Sequence, residues 1–187
     1  DAIKRNSDLK IVYTPIHGTG IKLIPRTLRE YGFTNVIDVP EQNVISGDFP
    51  TVVSPNPGEP AALEMAVKKA RETDADIVMA SDPDADRIGI AIKNDKNEWM
   101  LVNGNQTYLI LIYYLIRRWK ELGRLKGNEY VVETIVTTEV MTDIARKNGV
   151  EYFDCFTGFK WIAAVMRDNE GKKTYIGGGE ESYGFLA

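Results

Sequence analysis

The chain has one cysteine, Cys155, and one histidine, His17. A lone cysteine excludes a disulfide within the chain and fits a reducing cytoplasm. Flanked closely by Phe153 and Phe156, it reads as a small buried hydrophobe rather than a nucleophile. No basic run exceeds Arg117-Arg118, and 23 basic against 27 acidic side chains leave a net charge of −4. That balance gives no support for nucleic-acid binding, so an anionic substrate must be met by local groups. Long hydrophobic runs are missing too. The most apolar stretch, Tyr108 to Ile116, is too short to span a membrane and is closed by Arg117-Arg118-Trp119-Lys120. The opening Asp1-Ala2-Ile3-Lys4-Arg5 lacks a signal-peptide pattern and does not begin with Met. Both ends read as cuts within a longer protein. At 187 residues there is room for one large domain or two small ones.

What the chain does have is Asp82-Pro83-Asp84-Ala85-Asp86-Arg87. Three carboxylates alternate and an arginine follows at once. Apolar, β-prone segments flank them, Asp76 to Ala80 before and Ile88 to Ile92 after, which places the acids on a tight loop between two buried strands. Two like charges about 4 Å apart repel by about 4 kcal/mol at an effective dielectric of about 20. A divalent cation would reverse that balance, and carboxylate oxygens suit Mg²⁺. The competing reading is a solvated acidic turn opened by Asp-Pro; Arg87 and the apolar flanks argue for the metal. An EF-hand is excluded, because the positions that need Gly and Glu hold Arg87 and Lys93.

Strands are expected at Leu9–Thr14, Asn35–Val39, Asp76–Ala80, Arg87–Ile92 and Trp99–Val102. Helices are expected at Ile21–Tyr31, with Leu23, Ile24 and Leu28 on one face, and at Ala61–Glu72, with Leu63, Ala66, Val67 and Ala70 in step. A Pro-rich loop runs from Pro40 to Pro60. The pattern restarts with a helix from about Asn105 to Leu122. Strand Tyr130–Ile135, a helix opened by Thr138 and Glu139, strand Glu151–Phe156, helix Gly158–Arg167 and strand Lys173–Ile176 follow. Residues 177–184 read as a loop. The fold class is α/β: two consecutive domains, 1–103 and 104–187, each a mixed or parallel sheet covered by helices.

Other loops carry weaker signals. Gly18-Thr19-Gly20 reads as a tight βα turn rather than a dinucleotide fingerprint, because the third glycine position is Leu23. A nucleotide-binding Rossmann reading fails on the same residue, and Asp38 alone does not rescue it. His17 reads as an anchor for its loop. Thr157 suits a helix cap, although a helix N-terminus also offers N–H groups to an anion. Lys160, in the first helical turn, opposes the helix dipole and so suits a ligand, or is simply solvated. Gly177-Gly178-Gly179 leads to Glu180 and Ser182, which share a side if the stretch is extended. The run reads equally as a subsite for vicinal sugar hydroxyls or as a flexible acidic turn.

Together these segments resemble the α-D-phosphohexomutase superfamily of phosphoglucomutases and phosphomannomutases. Asp82 to Arg87 is similar to its Mg²⁺ loop. Gly179-Glu180-Glu181-Ser182-Tyr183-Gly184 is similar to its sugar loop. Thr157-Gly158-Phe159-Lys160-Trp161 resembles its domain 3 substrate loop, and Thr14 to Gly20 the start of its domain 2. The resemblance covers domain 2 and most of domain 3. Domain 4 and the phosphoserine loop of domain 1, with its Ser-His-Asn-Pro signature, have no counterpart; Ser54-Pro55-Asn56-Pro57 lacks the histidine.

The resemblance implies reversible phosphoryl transfer between a phosphoserine and a sugar phosphate, through a 1,6-bisphosphate such as glucose 1,6-bisphosphate. It assigns Asp82, Asp84 and Asp86 to Mg²⁺ and Arg87 to the phosphate region. Thr157, Gly158 and Lys160 go to the substrate grip, and Glu180 and Ser182 to sugar hydroxyls. The aromatic after Gly-Glu-Glu-Ser favours a phosphoglucomutase type over a phosphomannomutase, while the Pro-rich loop and the domain 2 motif also resemble phosphopentomutases related to phosphoglucomutase. A non-catalytic sugar-phosphate binding module is the alternative outside enzymes. Without domains 1 and 4, the isolated chain is expected to be inactive.

Overall fold

Ile11, Val12, Tyr13 and Thr14 are all buried. A continuous run of this kind belongs inside a sheet covered on both faces, and that is its place in the computed structural model, which describes residues 2–187. The chain divides into one unit ending at Val102 and a second unit, Asn103–Ala187.

In the first unit a single helical turn, α1 (Ala2–Arg5), precedes β1 (Ile11–Thr14). Helix α2 (Gly20–Glu30) leads to β2 (Val36–Asp38), and α3 (Pro60–Thr73) leads to β3 (Ile77–Ser81). Strands β4 (Ile88–Lys93) and β5 (Trp99–Val102) complete the unit. The sheet order is β2-β1-β3-β4-β5. β1 runs parallel to both neighbours, while β4 and β5 are antiparallel additions. Helix α3 lays Ala62, Leu63, Ala66 and Ala70 over Val12, Val78, Ala80 and Ala91. Ala66 lies four residues from both Ala62 and Ala70 and three from Leu63, so the four form one apolar stripe.

The second unit opens with α4 (Gly104–Glu121), started by a capping box between Asn103 and Gln106. It continues through β6 (Glu129–Thr134), α5 (Val140–Lys147), β7 (Glu151–Cys155), α6 (Phe159–Asp168), β8 (Thr174–Gly179) and β9 (Phe185–Leu186). The order is β7-β6-β8-β9, with only β9 antiparallel. Val131 faces Ile112 and Ile116 of α4, while Tyr130 and Val132 face Ile162 of α6. This is the alternation a strand imposes.

Both units therefore use one plan. The first strand is central, the next lies on one side, the third on the other, and an antiparallel strand follows. The chain reverses direction across the sheet between β1 and β3, and between β6 and β8. In open α/β sheets, loops at the carboxyl ends of strands beside such a reversal are where ligands bind. Loop 82–87 leaves β3 and loop 180–184 leaves β8. No helix among the described residues is long and apolar enough to cross a membrane.

Three expectations need correction. Leu23 is 69% exposed and does not share the buried face of α2. That helix instead turns Gly20 and Pro25 inward, with Ile24 and Leu28 half-buried. Residues 177–179 are not a loop but the buried end of β8. Packing requires glycine at two of the three positions: a Cβ on Gly178 would lie 2.6 Å from the Val132 carbonyl oxygen, and one on Gly179 2.8 Å from the Tyr108 ring. Cys155 is half-buried rather than fully enclosed, and its thiol donates to the Glu133 carbonyl at 3.4 Å.

Candidate functional site

The acidic loop is the connection of a hairpin. Ser81 pairs with Ile88 across β3 and β4, so the six intervening residues must reverse the chain. The turn closes through Ala85 N–H to the Asp82 carbonyl at 3.0 Å, with Ala85 at φ 62°. One oxygen from each of Asp82, Asp84 and Asp86 lies within 4.8 Å of the other two. Asp82 is fully buried, whereas Asp84 and Asp86 are exposed.

Arg87 makes the buried carboxylate tolerable. Its backbone N–H donates to Asp82 Oδ1 at 3.0 Å and its Nε to Oδ2 at 2.7 Å. Burial pushes the Asp82 carboxyl up, but the hydrogen bonds from Arg87, together with the contact to Asp86 and the Arg87 charge, outweigh it and hold the group below its ordinary value. Asp86 is displaced the other way. Burial raises it first, and its contact with Asp82 and the charges of Asp82 and Asp84 raise it further. Negative charge is thus crowded here beyond what Arg87 neutralises. Three converging hard oxygen donors with surplus negative charge fit Mg²⁺.

The loop after β1 props this hairpin. Thr19 donates both its backbone N–H and its hydroxyl to the Pro83 carbonyl, at 2.8 and 3.0 Å. A Cβ on Gly18 would stand 2.4 Å from Pro83 Cα and 2.9 Å from the Asp82 carbonyl oxygen, so only glycine fits. His17 is buried, with Nδ1 2.8 Å from the Val44 carbonyl and Nε2 2.8 Å from the Thr51 hydroxyl. That is the anchoring geometry expected of it. The contact between Gly18 and Pro83 has no local sequence signal, because its partners are far apart along the chain.

In the second unit, Glu180 is buried at the end of β8. Its Oε1 accepts the Gly158 N–H at 2.6 Å and its Oε2 accepts the Ser182 hydroxyl at 3.3 Å. Gly158, at φ 116°, is the N-cap of α6. Thr157 therefore does not cap the helix; it is exposed one residue earlier. The place expected for an external anion is met in part by Glu180 itself. Lys160 is exposed, with Nζ 5.3 Å from the centre of the Trp161 ring.

Two further acids went unread in the sequence. Glu181 accepts from the Thr134 and Thr137 hydroxyls, each at 3.5 Å. Glu133 is buried opposite Asp154, and its Oε2 has no hydrogen-bond partner among the described residues.

Two family models match the chain. Phosphoglucomutase/phosphomannomutase alpha/beta/alpha domain II covers residues 2–96, and domain III of the same family covers residues 103–187. The chain belongs to the phosphoglucomutase/phosphomannomutase family. A phosphoglucomutase of Staphylococcus aureus is 36% identical over 181 residues, which is 97% of this chain and 32% of that protein. The chain thus spans about a third of the length of the curated relatives it matches. The fold is shared with a Burkholderia thailandensis member of the family, at TM-score 0.75 and 21% identity, over 96% of this chain and 35% of that one. It is also shared with the Aspergillus fumigatus N-acetylphosphoglucosamine mutase in complex with GlcNAc-6P and magnesium. There the TM-score is 0.65 at 18% identity, over 98% of this chain and 38% of that one.

Proposed function

We propose that this phosphoglucomutase/phosphomannomutase chain supplies the metal-binding and sugar-binding domains of a phosphohexomutase of phosphoglucomutase type. The reaction is the interconversion of a sugar 1-phosphate and 6-phosphate through a bisphosphate. The observation that carries this reading is the convergence of three carboxylate oxygens within 4.8 Å on one hairpin loop. Asp82, Asp84 and Asp86 would hold Mg²⁺. Bound there, the metal would offset charge on a transferring phosphoryl group.

The chain's own residues do the rest. Arg87 keeps Asp82 ionised and fixed. Its Nε is committed to that task, so any phosphate contact falls to its Nη groups. Glu180, already joined to Ser182, presents a carboxylate and a hydroxyl to vicinal sugar hydroxyls. Lys160 and the backbone around Thr157 and Gly158 would meet the phosphate. The phosphorylated serine and the remaining substrate contacts would come from further domains of the same polypeptide. The magnesium and sugar 6-phosphate held by the Aspergillus relative support the same ligand classes here.

The test is conversion of glucose 1-phosphate by the polypeptide that contains this chain. Conversion should require Mg²⁺ and fall sharply in Asp84→Asn. Full activity of that variant at limiting Mg²⁺ would overturn the assignment.

A further inference from the structure

Thr19 stands at the N-cap of α2, yet its side chain makes no cap hydrogen bond. A threonine there ordinarily accepts from the first turn of its helix and stabilises it. Here the hydroxyl and the backbone N–H both turn to the Pro83 carbonyl, 64 residues away. That carbonyl belongs to the peptide joining Pro83 to Asp84, and proline already locks the backbone on its other side. Two donors on one oxygen therefore orient the link between Asp82 and Asp84. Gly18 closes the same contact from below, in van der Waals reach of Pro83 Cα and the Asp82 carbonyl.

The support is itself rigid. Ile16 and His17 both have positive φ, 45° and 63°. Consecutive non-glycine residues in that region persist only where the surroundings over-determine them. The two ring contacts of His17 and the hydrogen bond from Ile16 N–H to the Thr14 hydroxyl do so. The opposing force is the mutual repulsion of three carboxylates, which drives the hairpin tip apart unless something holds it.

We propose that Thr19 is a positioning residue that holds the acidic hairpin in its metal-binding shape and so sets its affinity for a divalent cation; this rests on the metal reading above. The experiment titrates the 187-residue chain with Mn²⁺, followed by the loss of its free-ion paramagnetic signal, beside a thermal unfolding scan. Thr19→Val removes the hydroxyl donor and keeps the shape. Thr19→Ser keeps the donor. One lost hydrogen bond predicts about a two- to tenfold weaker Mn²⁺ affinity in Thr19→Val, with a midpoint near that of the unmodified chain and with Thr19→Ser close to unmodified. Unchanged affinity in Thr19→Val overturns the proposal alone. So does equal weakening in both variants, since the hydroxyl would then not be the cause. If the unmodified chain binds Mn²⁺ no better than Asp84→Asn, the metal reading itself falls and takes the proposal with it.

Discussion

Gly158 donates its backbone N–H to Glu180 Oε1 at 2.6 Å, across 22 residues of chain. The carboxylate therefore sits on the N-terminus of α6, where a negative charge is favoured. The same contact holds the loop after β8 against the loop after β7. Glu180→Gln keeps the shape and removes the charge. A charge-assisted hydrogen bond is worth about 1.5–3 kcal/mol, so catalytic efficiency in the full-length enzyme should fall about tenfold to a hundredfold. Steady-state kinetics on glucose 1-phosphate decides this, and an unchanged specificity constant would remove Glu180 from the substrate site.

Arg87 is the partner that keeps Asp82 charged in a fully buried position. Arg87→Met would remove the Nε donor and the positive charge and leave that carboxylate only the backbone N–H of residue 87 at Oδ1. The expected loss of stability is about 1–3 kcal/mol, held to that range because Arg87 is partly exposed and water screens it. Adding Asp82→Asn should recover much of the loss. Urea unfolding of the single and double variants measures both, and equal midpoints for the unmodified chain and Arg87→Met would contradict the pairing.

Glu133 gives the second unit a pH dependence. Burial, then the charges of Asp154 and Glu139, push its carboxyl up to about 8, against a smaller opposing pull from Thr142. The ordinary value is 4.5. Between those values the folded chain holds a proton that the unfolded chain has released. The stabilisation is complete below the lower value and is lost as pH rises through the upper one, with a slope of at most about 1.4 kcal/mol per pH unit. Glu133→Gln should flatten that decline. Thermal scans from about pH 5 to about pH 9 test it, and parallel curves for the two proteins would show that Glu133 does not titrate this way.

The 187-residue chain alone should not convert glucose 1-phosphate, even with Mg²⁺ and glucose 1,6-bisphosphate supplied. Its loops can position a phosphoryl transfer, but positioning accelerates only a reaction whose nucleophile is present. Turnover above that of an Asp84→Asn preparation purified in parallel would refute this.

Much of the scaffold could be read directly from local pattern. The apolar segments on either side of residues 82–87 identified a tight loop between two strands, and the structure made it a hairpin. The three- and four-residue spacing of Leu63, Ala66 and Ala70 identified α3, and alternating helices and strands identified the α/β class. These signals are short-range, and burial follows from them because one face of each element is apolar. The motifs of the acidic and Gly-Glu-Glu-Ser loops were legible for the same reason, since each is contiguous. Tertiary structure alone decided the rest. Glycine has little preference for strands, so Gly177-Gly178-Gly179 looks like a loop until α4 and β6 close over it and leave no room for a Cβ on Gly178 or Gly179. Leu23 is as apolar as Leu28, but only the docking of α2 determines which of them meets the sheet. Thr19 and Pro83, or Gly158 and Glu180, meet because parallel strands bring their carboxyl ends together. That juxtaposition depends on strand order, which no local spacing encodes.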